Sequence, residues 1–208
     1  MNPIDELRKR YTDKQLAMGA ILSGLFFAAL GFLTSKTSAA IKKAKTELIA
    51  WQNMTETDAQ ATPYLRKYWE AVSLPLQPAS TAWSAAFISY VMGNLIRPKQ
   101  SHIEYARAAY RDRQNKIRGK YWAYNPQEIS KIKKGDILVR SRGDSSATWK
   151  DVTNPSGFHE THGDLVVETQ KGGVVGLGGN KHNKVATEVY PLYGGKPPSN
   201  VFAVLRLA

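Results

Sequence analysis

The order of the hydrophobic patterns limits the folds open to this chain, because helical periodicity fills its first half and short β-rich runs fill its C-terminal part. Helices are predicted at Ser38–Met54, Tyr64–Val72, Thr81–Leu95 and Ile103–Ile117. Strands are predicted after Gly135, at Asp136–Arg140, Asp164–Thr169, Gly173–Leu177, Val185–Leu192 and Val201–Leu207. The order predicts an α+β domain over residues 38–208, with N-terminal helices packed on a C-terminal antiparallel β-meander and one long irregular loop at Ser141–Gly157.

An uncharged apolar run precedes this domain, at Leu16–Leu33. At about 18 residues it just reaches the length that crosses the hydrocarbon core of a bilayer as a helix. Four cations lie on each side of it, so the positive-inside rule gives no orientation: Arg8, Lys9, Arg10 and Lys14 before it, and Lys36, Lys42, Lys43 and Lys45 after it. Segment 1–37 is therefore predicted to be an apolar helix that anchors the protein in a membrane or docks it into a protein assembly. A secretory signal peptide is the alternative, since small residues at Ser38–Ala40 imitate a cleavage region.

The charge balance narrows the classes of partner. Lys and Arg total 29 against 17 acidic residues, which gives a formal net charge of +12 and a pI near 9.8. Such a chain favours anionic partners, among them nucleic acid, acidic lipid and anionic wall polymer. The chain has no cysteine, which excludes disulfides, thiolate zinc sites and cysteine nucleophiles.

Three short strings place polar residues where one element gives way to another: WSAAF around Ser84, HETHGD around His162, and LGGN ending at Asn180. Ser84 lies near the start of an apolar helix, where free backbone N–H groups would stabilise an oxyanion. A neutral His162 could take its proton, and the side-chain carbonyl of Asn180 could hold the imidazole tautomer. The order Ser, His, Asn predicts a catalytic site of Ser84, His162 and Asn180, with Trp83, His159 and Asp164 binding substrate.

The strings WSAAFISYVM, SHIEYARAA, GDILVRSR, HGDLVVE and GLGGNKHNKVATEV resemble an uncharacterised bacterial and phage domain family. That family is distantly related to the papain-like cell-wall hydrolases of the CHAP and NlpC types, and the resemblance runs from about Lys45 to Ala208. In those hydrolases a cysteine opens the central helix and a histidine opens a strand. The resemblance implies a papain-like fold with Ser84 at the nucleophile position, His162 as base and Asn180 as the orienting residue.

The serine is a departure from the cysteine hydrolases. A helix N-terminus can convert a thiol to a thiolate, but a hydroxyl is too weak an acid, so Ser84 would depend on His162 as base. The resemblance implies an envelope protein that acts on or binds peptidoglycan, with an amide bond as the target of any cleavage. The apolar segment adds the prediction that the protein is anchored in a membrane and faces the periplasm or cell wall. The alternative is a non-catalytic structural or adaptor component of a phage virion or a secretion or injection machine.

Other site classes are disfavoured by the residue patterns. His159, Glu160, His162 and Asp164 do not form the helical HExxH motif, and no metal or other cofactor is expected. A basic stretch interleaved with aromatic residues could follow a phosphate backbone, but it is more typical of a solvated helix face: Arg107, Arg111, Arg113, Lys116, Arg118, Lys120, Tyr110, Tyr121 and Trp122. Nucleic acid is therefore not the expected partner; peptidoglycan or another anionic envelope polymer is.

Overall fold

The computed structural model describes residues 35–154, 157 and 159–208. Residues Ser38–Ala208 form one compact unit. The apolar helix predicted at Leu16–Leu33 lies outside the described residues, and the role of segment 1–37 stays a prediction. No helix in the described ranges is long and apolar enough to cross a membrane.

Helices precede strands, as predicted. Helix α1 covers residues 35–50 of the described chain, and three further helices follow before any strand: α2 at Thr62–Glu70, α3 at Ser84–Met92 and α4 at His102–Gln114. Short 3₁₀ turns lie at Ala59–Ala61, Gly93–Leu95 and Pro126–Glu128. Helix α3 is buried along almost its whole length, because its sequence SAAFISYVM is apolar on every side.

Six strands form one antiparallel sheet: β1 at Tyr121–Tyr124, β2 at Ile137–Ser141, β3 at Thr161–Gln170, β4 at Gly173–Lys181, β5 at Lys184–Pro191 and β6 at Val201–Leu207. Their order in the sheet is β1-β6-β2-β3-β4-β5. Strands β2 to β5 are a meander, and β6 returns to pair with both β1 and β2. The predicted α+β class with an antiparallel sheet is confirmed.

Two elements differ from the sequence prediction. Strand β1 was not predicted, and its YWAY sequence pairs with β6 some 80 positions later, with Tyr121 opposite Leu207. The predicted irregular loop contains a short helix, α5, at Trp149–Thr153. A capping box starts it, in which the side chains of Thr148 and Asp151 each accept a bond from the backbone of the other.

The sheet separates two hydrophobic layers, since successive side chains of a strand point to opposite faces. Leu165 and Val167 of β3 belong to the larger core with the helices, whereas Val166 belongs to a smaller core on the other face. Helix α3 approaches β4 very closely at Gly179, where a Cβ atom would lie 2.6 Å from both Phe87 Cβ and Trp83 Cζ3. The glycine thus lets the start of α3 rest directly on the sheet.

Candidate active site

Ser84 is the first residue of α3, after Trp83 at the N-cap position. No side chain caps the helix, and its first backbone hydrogen bond runs from Phe87 N–H to Trp83 O at 2.9 Å. The N–H groups of the first turn, including that of Ser84 itself, are therefore available to another acceptor. Together with the positive end of the helix dipole, they form a suitable environment for a negatively charged oxygen.

The Ser84 hydroxyl contacts a histidine from the neighbouring helix. Ser84 Oγ lies 2.7 Å from His102 Nε2, and His102 Nδ1 lies 2.6 Å from the Tyr105 hydroxyl. His102 and Tyr105 are three residues apart on α4, so both side chains lie on the same face of that helix. The three groups form a buried Ser–His–Tyr chain between the first residue of α3 and the first turn of α4, and Ser84, His102 and Tyr105 are 2%, 2% and 0% exposed.

Burial controls the protonation of this chain. Desolvation, and then the proximity of His162, lowers the pKa of His102 well below its usual value of 6.5. Desolvation raises the pKa of Tyr105 well above 10, and the negative charge of Asp164 acts in the same direction. At neutral pH the imidazole is uncharged and the phenol keeps its proton, so His102 can accept a proton from Ser84 when Nδ1 donates to the Tyr105 oxygen.

A second polar cluster lies beside this chain, on strands β3 to β5. The rings of His162 and His102 are 5.5 Å apart between centroids. His162 Nε2 lies 3.3 Å from Asp164 Oδ1, and Lys181 Nζ lies 3.0 Å from Asp164 Oδ2, to which the Tyr190 hydroxyl also donates. Asp164 is a fully buried carboxylate with partners on both oxygens.

The ionised form of Asp164 is stabilised by these partners. Burial alone would raise the pKa of this carboxyl, but attraction to His162 and Lys181 and the hydrogen bonds from His162 and Tyr190 outweigh it. The pKa of Asp164 is consequently held below its usual value of 3.8. The buried negative charge is compensated within the protein.

Two glycines make room for the two clusters. A Cβ atom on Gly163 would lie 2.2 Å from the Tyr105 hydroxyl and 2.5 Å from His102 Nδ1. A Cβ atom on Gly178 would lie 2.0 Å from Asp164 Oδ1 and 3.1 Å from His162 Nε2. At both positions a Cβ atom would overlap these polar side chains, so only glycine fits. The side chains of the two clusters therefore pack directly against the backbone of β3 and β4.

A cleft of about 870 Å³ opens at the start of α3. Ser84, His102 and Asn180 contribute to its lining, together with Arg107 and Arg142, two cationic residues. Glu56, Glu104, Glu160 and His159 also contribute. The Ser84–His102 pair thus lies at a cleft whose volume is within the usual range of ligand pockets.

The three residues predicted as catalytic lie in one region but do not form the predicted hydrogen-bonded series. Ser84 bonds to His102, and His162 bonds to Asp164. Asn180 is 9% exposed at the end of β4, has a positive φ of 52°, and lines the cleft. Its side chain makes no hydrogen bond to His162 among the described residues. Their catalytic roles stay predictions.

The residues predicted to bind substrate are divided between the cleft and the interior. His159 lines the cleft and pairs with Asp151, with Nε2 at 3.3 Å from Oδ1. Trp83 is 1% exposed, stacks on Trp51 and donates to Glu56 from its indole N–H. Asp164 is fully buried beneath His162. Trp83 and Asp164 are therefore buried behind the residues that line the cleft.

Sequence reasoning missed His102 and Tyr105. The signal was the His-x-x-Tyr spacing at the start of a helix, directly after Ser101, in the string SHIEY. Within the part of the chain that the structure describes, no group of three or more histidine or acidic residues is arranged to hold a metal ion.

Fold and site together define an α+β protein with a buried Ser–His pair at an uncapped helix N-terminus. A family profile described as an uncharacterized protein conserved in bacteria (DUF2272) matches residues 41–195. The match covers most of the chain, which therefore belongs to this family. Comparisons with curated proteins and with solved structures returned no match.

Proposed function

We propose that this protein is an amide-bond hydrolase of the bacterial cell envelope that acts on peptidoglycan, with Ser84 as nucleophile and His102 as general base. The observation that carries the proposal is the 2.7 Å contact between Ser84 Oγ and His102 Nε2 at the uncapped start of α3. A hydroxyl needs an adjacent base to become a nucleophile, and a neutral imidazole at hydrogen-bonding distance is the usual one. The net charge of +12 suits an anionic wall polymer.

In the proposed reaction Ser84 Oγ attacks the carbonyl carbon of the amide while its proton passes to His102 Nε2. Backbone N–H groups at the start of α3 stabilise the resulting oxyanion. Collapse breaks the C–N bond, and His102 returns the proton to the departing nitrogen, which leaves an ester on Ser84. Water then attacks this ester, gives its proton to His102, and releases the acid as Ser84 recovers its proton. Tyr105 Oη holds the imidazole in the tautomer that these steps need.

We extend the proposal to a papain-like relationship. The nucleophile of papain-like hydrolases opens a central helix on an antiparallel sheet, and Ser84 opens α3 against β4 at Gly179. His162, at the start of β3, corresponds to the strand histidine of that fold, while His102 comes from a helix. In this proposal segment 1–37 holds the protein in the envelope membrane, with the domain facing the cell wall.

A binding-only role is the second candidate, as a structural or adaptor component of a virion or of a secretion or injection machine. The observation that favours it is the burial of both reacting groups, because Ser84 and His102 are each only 2% exposed. A buried imidazole is also a weakened base, since desolvation opposes its protonation. The two functions differ in turnover, which a single assay measures.

The full-length protein is expected to digest purified sacculi, and Ser84→Ala is expected to release nothing above the buffer control. The assay follows dye release from labelled sacculi, and mass spectrometry of the products identifies the new amine and carboxyl termini. Ser84→Cys is expected to keep activity, because the helix dipole that serves the hydroxyl would also stabilise a thiolate. Equal release by wild type and Ser84→Ala would contradict the proposal and leave the binding-only role.

The rate of hydrolysis is expected to stay constant from about pH 8 to about pH 6. An ordinary histidine would already be mostly protonated at the lower end of this range. The active form of His102 is the unprotonated one, and burial lowers its pKa well below 6.5, so acid must go further to inactivate it. Initial rates of sacculus digestion across this range, with unfolding monitored at each pH, provide the measurement. A loss of rate centred on pH 6.5 in folded protein would show that the base is a histidine in an ordinary environment.

A further inference from the structure

Arg107 lies on α4 and lines the same cleft as Ser84. Its Nε donates to the backbone carbonyl of Asp151 on α5 at 2.9 Å, which fixes the plane of the guanidinium. Its Nη2 is buried and has no hydrogen-bond partner, whereas every other buried side-chain nitrogen in the described part of the chain has one. A charged donor held in this way is poised for an acceptor that the protein does not supply.

A buried donor without an acceptor is costly, and the cost is larger for a charged group. A guanidinium has five N–H donors and no acceptor, so Arg107 depends on acceptors that other groups supply. Unsatisfied buried groups of this kind call for an explanation, such as a functional role or a bound water or ion. Arg107 lines the cleft and is partly exposed, so a molecule bound in that cleft is placed to supply an acceptor to the guanidinium.

The chemistry of the missing acceptor follows from the donor. A planar guanidinium with one edge committed to a carbonyl offers its other N–H groups to an anionic oxygen, and it fits the two oxygens of a carboxylate best. Arg142 adds a second positive charge to the cleft. Three carboxylates also line the cleft: Glu56 accepts a bond from the Trp83 indole at 2.7 Å, and neither Glu104 nor Glu160 accepts from Arg107 Nη2.

We propose that Arg107 is the substrate-recognition residue of this cleft and binds a free carboxylate of a peptide substrate. The inference rests on the proposed function only in placing the scissile amide at Ser84. It assigns the substrate class more narrowly, to acyl peptides that carry a carboxylate close to the bond at Ser84. Arg107 orients this group, and the Ser84–His102 pair acts on the neighbouring carbonyl.

The test measures binding without turnover, in full-length protein that carries Ser84→Ala. The probes are diacetyl-lysyl-D-alanyl-D-alanine and its C-terminal amide, which differ only in the carboxylate, and affinities are measured by calorimetry. The acid is expected to bind at least about 10-fold more tightly than the amide, because a hydrogen bond to a charged group contributes this much. Arg107→Met is expected to remove the preference and to leave binding of the amide within about 2-fold.

Arg111→Met is the matched control, because Arg111 lies one helical turn further along α4 and does not line the cleft. It should keep the full preference. Thermal unfolding checks that each variant is folded, and Arg107→Lys replaces Arg107→Met if the latter is unfolded. The lysine ammonium lacks the planar pair of donors of a guanidinium, so Arg107→Lys should lower the preference for the acid about 3-fold or more. Inorganic phosphate, added as a competitor, distinguishes a carboxylate site from a phosphate site.

Three outcomes would overturn the inference: equal affinity for acid and amide, a preference that survives in Arg107→Met, or inorganic phosphate binding more tightly than the acid. Each can be observed whether or not the wild-type protein hydrolyses sacculi, because the binding chain lacks the nucleophile. A preference for the acid that depends on Arg107, found together with no turnover, would keep the binding site and reject only the hydrolase.

Discussion

His102→Ala is expected to lower the rate of sacculus digestion by about 10²-fold to 10⁴-fold, which is the range that a general base contributes. His102 Nε2 is the nitrogen at 2.7 Å from Ser84 Oγ, so its loss leaves the hydroxyl without a proton acceptor. His162→Ala is expected to lower the rate by only about 10-fold to 100-fold, because the His162 ring lies beside the His102 ring and makes no hydrogen bond to Ser84 in the described chain. Asn180→Ala should cost less than either, since its side chain makes no bond to His162 within the described chain.

The same rates are measured on labelled sacculi for a double variant and for the single variants Ser84→Ala, His102→Ala, His162→Ala and Asn180→Ala. Because nucleophile and base act as a unit, Ser84→Ala combined with His102→Ala should be no slower than either single change. His182→Ala is the matched control, as His182 is an exposed histidine that does not line the cleft. Full activity in folded His102→Ala, with activity abolished in His162→Ala, would return the role of base to His162 as the sequence predicts.

Periodicity was sufficient to predict the α+β class, because helix and strand repeats appear within single stretches of sequence. Ser84 was placed near the start of an apolar helix for the same reason, and the structure has it as the first residue of α3. Strand β1 was missed because four residues carry too little alternation, and its partner β6 lies at the other end of the chain. Its pairing is a tertiary event that no local pattern displays.

The partner of Ser84 was missed for a related reason. His102 lies 18 positions away on another helix, and the contact exists only because the fold brings the first residues of α3 and α4 together. The sequence favoured His162 as the base because it was predicted to open a strand. Its position is confirmed, since His162 is the second residue of β3, Thr161–Gln170. Sequence patterns locate a residue on its own element, whereas the pairing of imidazole with hydroxyl depends on where the fold places two elements relative to each other.

Asp164→Ala is expected to lower the free energy of unfolding by about 3 to 5 kcal/mol at pH 7, the usual cost of removing one partner from a buried ion pair. The carboxylate is fully buried and accepts from Tyr190 while it contacts His162 and Lys181. Removing it leaves the Tyr190 hydroxyl without its acceptor and the Lys181 ammonium with Glu188 alone. Urea unfolding followed by circular dichroism measures the change, and exposed Asp144→Ala should stay within about 0.5 kcal/mol of wild type.

The deficit of Asp164→Ala should also shrink in acid, which separates a charge effect from a simple loss of packing. The folded-state pKa of Asp164 lies below 3.8, so the stability due to its ionised form is complete above pH 3.8 and is lost as the pH falls toward that lower value. Wild type should therefore lose stability below pH 3.8 and approach the variant. Gly178→Ala, whose Cβ would lie 2.0 Å from Asp164 Oδ1, should destabilise the protein by about 2 to 3 kcal/mol through the same cluster. A deficit of Asp164→Ala that is independent of pH would mean that the cluster stabilises the fold by shape alone, and a deficit below about 1 kcal/mol would contradict its role in holding β3, β4 and β5 behind the site.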